Sequence, residues 1–233
     1  MRSLLGLLLL LAGSAVPVLA DPVQPPVHQT VALSGPGSVS IEGGGNVRSN
    51  VRVTGWSQDN VQVDVTTAPA DRDKVNVFLD SSRSRVSLQV KGAGSGFFMS
   101  GGPSATVQIE LHVPSASKVA IEVVTGSIGV ANVNGPLVVS SVNGDVTVSG
   151  AGPVLKVETV NGKVNATVRS SDAAPRISIE TVNGDVTLSV PKNFSTPVVT
   201  HTINGKIENS RSEGQGAGKA SVSTVNGSIT VRS

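Results

Sequence analysis

Short runs in which apolar and polar residues alternate predict β-strands along much of the chain. A period of two places every second side chain on the same face, as in a strand with one face buried and the other in water. Such runs occur at residues 51–53, 61–65, 75–79, 86–90 and 107–111. No segment shows a convincing helical periodicity, so the sequence predicts an all-β fold.

The second half of the chain repeats a unit that reads approximately Val-Asn-Gly-x-Val-x-Val. Its five glycines are separated by steps of 18, 22, 21 and 22 residues. The five Asn-Gly pairs are Asn143 and Gly144, Asn161 and Gly162, Asn183 and Gly184, Asn204 and Gly205, and Asn226 and Gly227. Asn-Gly is the strongest short turn signal, because both residues tolerate positive φ. We therefore predict that all ten residues form structural turns between stacked copies of one unit.

Two arrangements fit such a repeat. In a β-solenoid each coil gives strands to two sheets and equivalent residues stack, whereas in a hairpin meander each Asn-Gly reverses the chain. The residues that follow the five glycines are Asp145, Lys163, Asp185, Lys206 and Ser228. Charges of alternating sign would attract each other if equivalent residues were stacked, by about 0.2–1 kcal/mol per pair. The pattern favours a β-solenoid-like stack that forms two sheets, with the meander left open.

The N-terminus has the layout of a secretory signal peptide. Met1 and Arg2 form a short positive region, an apolar stretch follows, and a small-residue cleavage pattern ends at Ala20. We predict a signal peptide over residues 1–20, a flexible leader over 21–30 and a single β-repeat domain over 31–233. The apolar stretch is too short for a membrane span, and no later apolar run is long enough for one, so no transmembrane segment is expected in the mature chain. The expected location is the periplasm or the exterior of the cell.

Composition argues against several classes of function. The formal net charge is +2 and the basic residues are scattered, which does not suit a nucleic-acid-binding protein. Aromatic residues make up 2% of the chain, which counts against a lectin or a glycosidase. Cysteine is absent, and this excludes disulfides, thiol catalysis and cysteine zinc sites.

Metal sites were considered at two places. Stacked asparagines could offer oxygen ligands to calcium, but Lys163 and Lys206 stand where carboxylates would be needed. Stacking would also bring together Glu158, Glu180 and His201, which we interpret as an exposed strand face. The other two histidines are His28, in the leader, and His112, in a predicted strand facing away from its apolar neighbours. We predict no metal, no cofactor and no catalytic residues.

One glycine-rich segment contains large apolar residues. Phe97, Phe98 and Met99 lie between glycines, either folded back onto the core or exposed as an interaction loop. Trp56 has the same ambiguity, and we expect it to cover the core at the first coils.

These features together resemble the adhesin-like, or toast-rack, β-strand repeat domains of bacterial exported proteins. The matching features are the apolar run at 107–113 before Pro114, the strand at 118–123, and the Gly-x-Val/Ile units from Gly126 onward. The resemblance covers residues 31–233. It implies a β-solenoid-like fold of two stacked sheets in an extracytoplasmic protein, and it implies no catalytic residues.

Three functions remain open from the sequence. The leading hypothesis is a non-catalytic exported adhesin-like protein that acts through protein or surface interactions, with self-association possible at the ends of the stack. The alternative is a periplasmic accessory protein of envelope maintenance or stress response. A polysaccharide-active β-helix enzyme is the least favoured.

Overall fold

The structure, a computed structural model, describes residues 21–93, 103, 105–169, 174–211 and 216–233. Strands make up most of these residues, and the helical element found among them is a short 3-10 helix, Pro69–Lys74. The all-β prediction is confirmed.

The strands form two sheets. The ten-stranded sheet contains β1 (Val27–Ala32), β3 (Val47–Trp56), β4 (Asn60–Thr67), β7 (Ala105–Pro114), β9 (Ile128–Ala131), β11 (Val146–Ala151), β13 (Val164–Val168), β15 (Val186–Ser189), β17 (Ile207–Asn209) and β19 (Ile229–Arg232). The nine-stranded sheet contains β2 (Ser38–Gly44), β5 (Val75–Ser81), β6 (Arg85–Gly92), β8 (Lys118–Thr125), β10 (Leu137–Asn143), β12 (Val154–Asn161), β14 (Arg176–Asn183), β16 (Val198–Asn204) and β18 (Lys219–Asn226).

The core lies between the inner faces of the two sheets. The alternating runs predicted from the sequence fall within β3, β4, β5, β6 and β7. Their apolar side chains point inward and meet those of the repeat, such as Val157, Ile179 and Leu188, each fully buried. Burying a side chain of this size stabilises the fold by about 1.5–3 kcal/mol.

From β8 onward each coil contributes one strand to each sheet, and a glycine-containing corner joins the two strands. Neighbouring strands are parallel and in register, so that Asn143 pairs with Asn161 and Asn161 with Asn183. A meander would pair neighbouring strands antiparallel. The solenoid arrangement is therefore confirmed.

The coils do not stack in the order of the sequence at the C-terminal end. The last coil, β18 and β19, lies between the coil of β14 and β15 and the coil of β16 and β17. The predicted alternation of charge is wrong at this point, because Ser228 rather than Lys206 is the neighbour of Asp185. Five coils share the Asn-Gly corner and can pair in the same register, so the repeated motif does not determine their order.

A similar insertion occurs at the other end, where β2 and β3 lie between the coil of β8 and β9 and the strands β6 and β7. Beyond them the pairing becomes antiparallel, between β5 and β6, β4 and β7, and β1 and β4.

The predicted flexible leader is wrong for its second part. Strand β1 begins at Val27, which is buried, and Val23 forms a bridge with Val77. Pro25 and Pro26 interrupt the apolar alternation in the sequence. Proline is nevertheless tolerated at the start of an edge strand, because an edge strand leaves part of its backbone unpaired.

Candidate functional site

The five Asn-Gly asparagines form a ladder of side-chain hydrogen bonds along one corner of the stack. Asn161 donates from Nδ2 to Oδ1 of Asn143 and Asn183 donates to Asn161, both at 2.9 Å. Asn226 then donates to Asn183, and Asn204 donates to Asn226, both at 2.8 Å. The ladder thus follows the spatial order of the coils, and four of the five amide oxygens accept a bond from the next amide.

The glycines of these corners are required by the close approach of neighbouring coils. A Cβ on Gly144 would lie 1.8 Å from the carbonyl oxygen of Gly126, and one on Gly162 would lie 2.1 Å from that of Gly144. No side chain fits at either distance. Close backbone stacking, rather than positive φ at the asparagines, is the physical reason for the Asn-Gly repeat.

The residue after each glycine connects one coil to the next. The carboxylate of Asp145 accepts the backbone N–H of Lys163 at 2.8 Å, and that of Asp185 accepts the backbone N–H of Ser228 at 2.9 Å. The ammonium of Lys163 lies 3.9 Å from Asp185. The carboxylates of Asp145 and Asp185 therefore link neighbouring coils of the stack.

A row of aliphatic side chains lies on the outer face of the nine-stranded sheet, immediately before the asparagine ladder. In spatial order the valine row consists of Val124, Val142, Val160, Val182, Val225 and Ile203. Four of its valines are 40% exposed and Ile203 is 65% exposed. Contiguous exposed apolar surface beside polar side chains is typical of a binding site.

In the Asn-Gly coils the residues directly before the valine row have hydroxyl groups, whereas the buried Val123 precedes Val124. Ser141, Thr159 and Thr181 are 5% exposed, and their hydroxyl oxygens have no hydrogen-bond partner in the protein. Thr224 reaches the carbonyl of Gly184 at 3.2 Å. At this level of β10, β12, β14 and β18, hydroxyl groups face the interior and valines face outward, which reverses the usual pattern. Local rules of this kind are most often broken at functional sites.

A glutamate row lies two residues before the valine row on the same outer face. It consists of Glu42, Glu122, Glu158 and Glu180, with Ser140, Ser223 and His201 at the equivalent places of the other strands. The glutamate and valine rows border a groove of about 530 Å³ that crosses the strands. Its lining contains the carboxylates of Glu122, Glu158 and Glu180, and no lysine or arginine.

Four basic side chains of this face, Arg85, Lys118, Arg176 and Lys219, occupy the first positions of their strands, on the far side of the glutamate row from the valines. Two others lie elsewhere on the face: Lys156 beside Glu158, and Lys91 near the end of β6. Across β8, β14 and β18 the outer face thus begins with a basic residue and ends with an aliphatic one.

Two of the three groove carboxylates already have partners. Glu158 forms an ion pair with Lys156 at 2.9 Å, and Glu180 accepts a hydrogen bond from Ser178 at 3.1 Å. The predicted stacking of His201 on Glu180 is wrong, since Ser223 separates them. In the described parts of the chain no group of three metal-ligating side chains is found.

The remaining residues singled out in the sequence lie away from the groove. His28 belongs to β1 and contacts Asp64. Trp56 is half-buried on the outer face of the ten-stranded sheet, stacked on His112 at 5.1 Å, so its expected place over the core is wrong. Phe97, Phe98 and Met99 lie outside the described residues.

The valine row was missed in the sequence because each valine reads as part of a turn motif. Counting positions along β12 would have revealed it, since Leu155, Val157 and Thr159 share one face while Val160 falls on the other. The same parity holds in β14.

Among the residues that the structure describes, no helix has the length and hydropathy needed to cross a bilayer.

The fold is shared with a solved structure. A candidate cell adhesion protein from Clostridium sporogenes ATCC 15579 aligns over 89% of this chain and 99% of its own, with 12% identity and a TM-score of 0.57. This confirms, at the level of the fold, the resemblance predicted from the sequence. A candidate adhesin from Bacteroides fragilis NCTC 9343 aligns over 90% of this chain and 98% of its own, with 10% identity and a TM-score of 0.37.

Sequence comparisons add one domain match. A domain of unknown function, DUF7330, matches residues 132–215, which include most of the Asn-Gly repeat. Comparison with curated protein sequences finds no match.

Proposed function

We propose that this protein is a non-catalytic exported binding protein of adhesin type, and that it binds a protein partner through the valine row. The observation that supports this is the outward position of six aliphatic side chains on consecutive strands of one sheet. Parallel, hydrogen-bonded strands hold such a row in place at little entropic cost on binding.

The setting is proposed from two further observations. The first 20 residues have the pattern of a secretory signal peptide. The solved structure with the same fold is named as a candidate cell adhesion protein. Both support an extracytoplasmic role in attachment to a protein at a surface.

The chemistry of the groove supports binding rather than catalysis. A general acid and base need two groups free to exchange protons with a substrate. Here Glu158 is paired with Lys156, Glu180 accepts from Ser178, and His201 is one strand removed from the nearest glutamate.

Site-specific photo-crosslinking in intact cells tests the proposal. A photoreactive amino acid replaces Val160 in the valine row or, as a matched control, Thr187 on the outer face of the ten-stranded sheet. We expect one discrete protein adduct from position 160 and none from position 187. The same set of adducts at both positions, or none at either, would contradict a specific binding role for the valine row.

A further inference from the structure

We propose that the groove binds a basic amphipathic helix of a protein partner, laid across the strands along the valine row. This inference rests on the proposed function and adds the chemistry of the partner. The helix places an apolar stripe on the valine row and lysine or arginine side chains over the glutamate row.

The charge of the groove determines which sign of charge the contacting side chains of a partner should have. Three carboxylates, one histidine and no lysine or arginine line it, and the amides of the asparagine ladder on the other side of the valine row are bonded to each other. Positive groups are therefore favoured on one side only, next to the glutamates. A partner with acidic groups there would meet like charges.

The hydrogen bonding of the sheet backbone favours a helix over an extended segment as the bound partner. Five of the six strands of the groove, β8, β10, β12, β14 and β18, are hydrogen-bonded to neighbours on both sides, so a strand could be added only beyond the edge strand β16 and not across the valine row. An extended segment lying across the strands would leave its own backbone groups unpaired against valines, which is costly. A helix satisfies its backbone internally and presents side chains alone.

The dimensions of the valine row also fit a helix. Strands in a sheet are about 4.8 Å apart, so six positions extend over about 24 Å. A helix has a pitch of about 5.4 Å, and about 16 residues cover the same length. Alternate side chains of an extended chain are about 6.8 Å apart, which matches the row less well.

A second copy of this chain does not offer the same surface. Its basic residues, such as Lys118 and Arg176, are separated from its own valine row by the glutamate row. Two copies facing each other through their valines would not bring a basic band against the glutamates.

The test uses the mature protein and three labelled 18-residue peptides of leucine and a charged residue, with affinity measured by fluorescence anisotropy at low salt. The first peptide has helical periodicity and lysine, the second has the same periodicity and glutamate, and the third has the lysine composition in strict alternation. We expect saturable binding of the first, with affinity at least about tenfold above the other two. Equal affinity for all three, or no binding, would overturn the helix proposal, while the crosslinking at position 160 decides separately on the proposed function.

Substitutions in the valine row and in the glutamate row test whether the lysine helix binds at the groove. Val160→Thr combined with Val182→Thr is expected to weaken binding of the lysine helix about tenfold, since a buried hydroxyl would lack a partner. Glu122→Gln combined with Glu180→Gln should weaken it up to about fivefold per residue, and less at high salt. Thr187→Ser on the other sheet should change nothing, and an equal loss with this control would contradict the assignment.

Sedimentation tests whether a second copy of this chain, instead of a helix, occupies the valine row. We expect the protein without peptide to remain monomeric up to the concentrations used for binding. A dimer that dissociates on Val160→Thr would place a second copy on the valine row and overturn the proposal.

Discussion

The outer faces of the two sheets are built on the same coils but have different surfaces. On the ten-stranded sheet the repeat presents hydroxyl and amide side chains, in one row Thr147, Asn165, Thr187 and Thr230 and in the next Ser149, Thr167 and Ser189. On the nine-stranded sheet the last row before the corner is aliphatic. Threonine and valine have nearly the same shape, and both are β-branched residues that favour strands.

The difference teaches that the fold does not require an aliphatic surface. Strands β11, β13 and β15 are parallel and paired on both sides, with one register shift between Ser149 and Ala151, and they have polar residues at their outward positions. Strand propensity would be equally well satisfied by threonine at positions 142, 160 and 182. We infer that the valines serve the proposed binding role. The following substitutions test how the stability of the two faces depends on the coils they share.

The largest effect is expected at the corner that joins both faces. In Gly162→Ala the new Cβ would lie 2.1 Å from a backbone oxygen of the adjacent coil, so the stack must open. We expect a loss of about 3 kcal/mol or more in the free energy of unfolding, measured by urea denaturation. Gly44→Ala is the control, because a Cβ there has no atom within 4 Å. An equally small effect at both glycines would show that the coils are not closely stacked.

Two inward-facing residues of β12, Val157 and Thr159, should differ in how substitution changes the free energy of unfolding. Val157 is fully buried, and Val157→Thr should cost about 1–3 kcal/mol because its hydroxyl would be buried without a partner. Thr159 already has an unpartnered hydroxyl, so Thr159→Val should be neutral or stabilise by about 1 kcal/mol. Urea unfolding of both variants measures this, and a loss of stability in Thr159→Val would indicate that the hydroxyl has a structural role.

The stability lost when an asparagine of the ladder is replaced should depend on its position in the ladder. Asn161 takes part in two side-chain hydrogen bonds and Asn204, at the open end, in one. We expect Asn161→Ala to cost about 1–2 kcal/mol in thermal or urea unfolding and Asn204→Ala about half as much. Equal costs would argue against a continuous ladder.

A smaller effect tests the order of the coils. Lys163→Asp would put three acids on consecutive coils, between Asp145 and Asp185, and should lower stability by about 0.2–1 kcal/mol at low salt. Lys206→Asp should cost less, because Ser228 is its neighbour in the stack. A larger loss in Lys206→Asp would contradict the insertion of the last coil, and high salt should reduce both effects.

More of the fold than of the candidate site could be predicted from the sequence. Alternation identified strands such as β4 and β7, and the Asn-Gly period identified the coils, since both depend on local chemistry. The order of the coils could not be predicted, because the shared Asn-Gly corners can stack on one another in any order. The valine row was hidden for a different reason: Val160 adjoins a turn, and its outward direction depends on counting from the buried Val157.

The most direct test of the central claim is the unfolding free energy of a triple variant, Val142→Thr, Val160→Thr and Val182→Thr. Each valine is 40% exposed, and threonine has the same branched shape. The account predicts a stability within about 0.5 kcal/mol of the unmodified protein, as expected for surface substitutions. A loss of about 3 kcal/mol or more would show that the valine row holds the fold together, and would contradict its assignment as a binding surface.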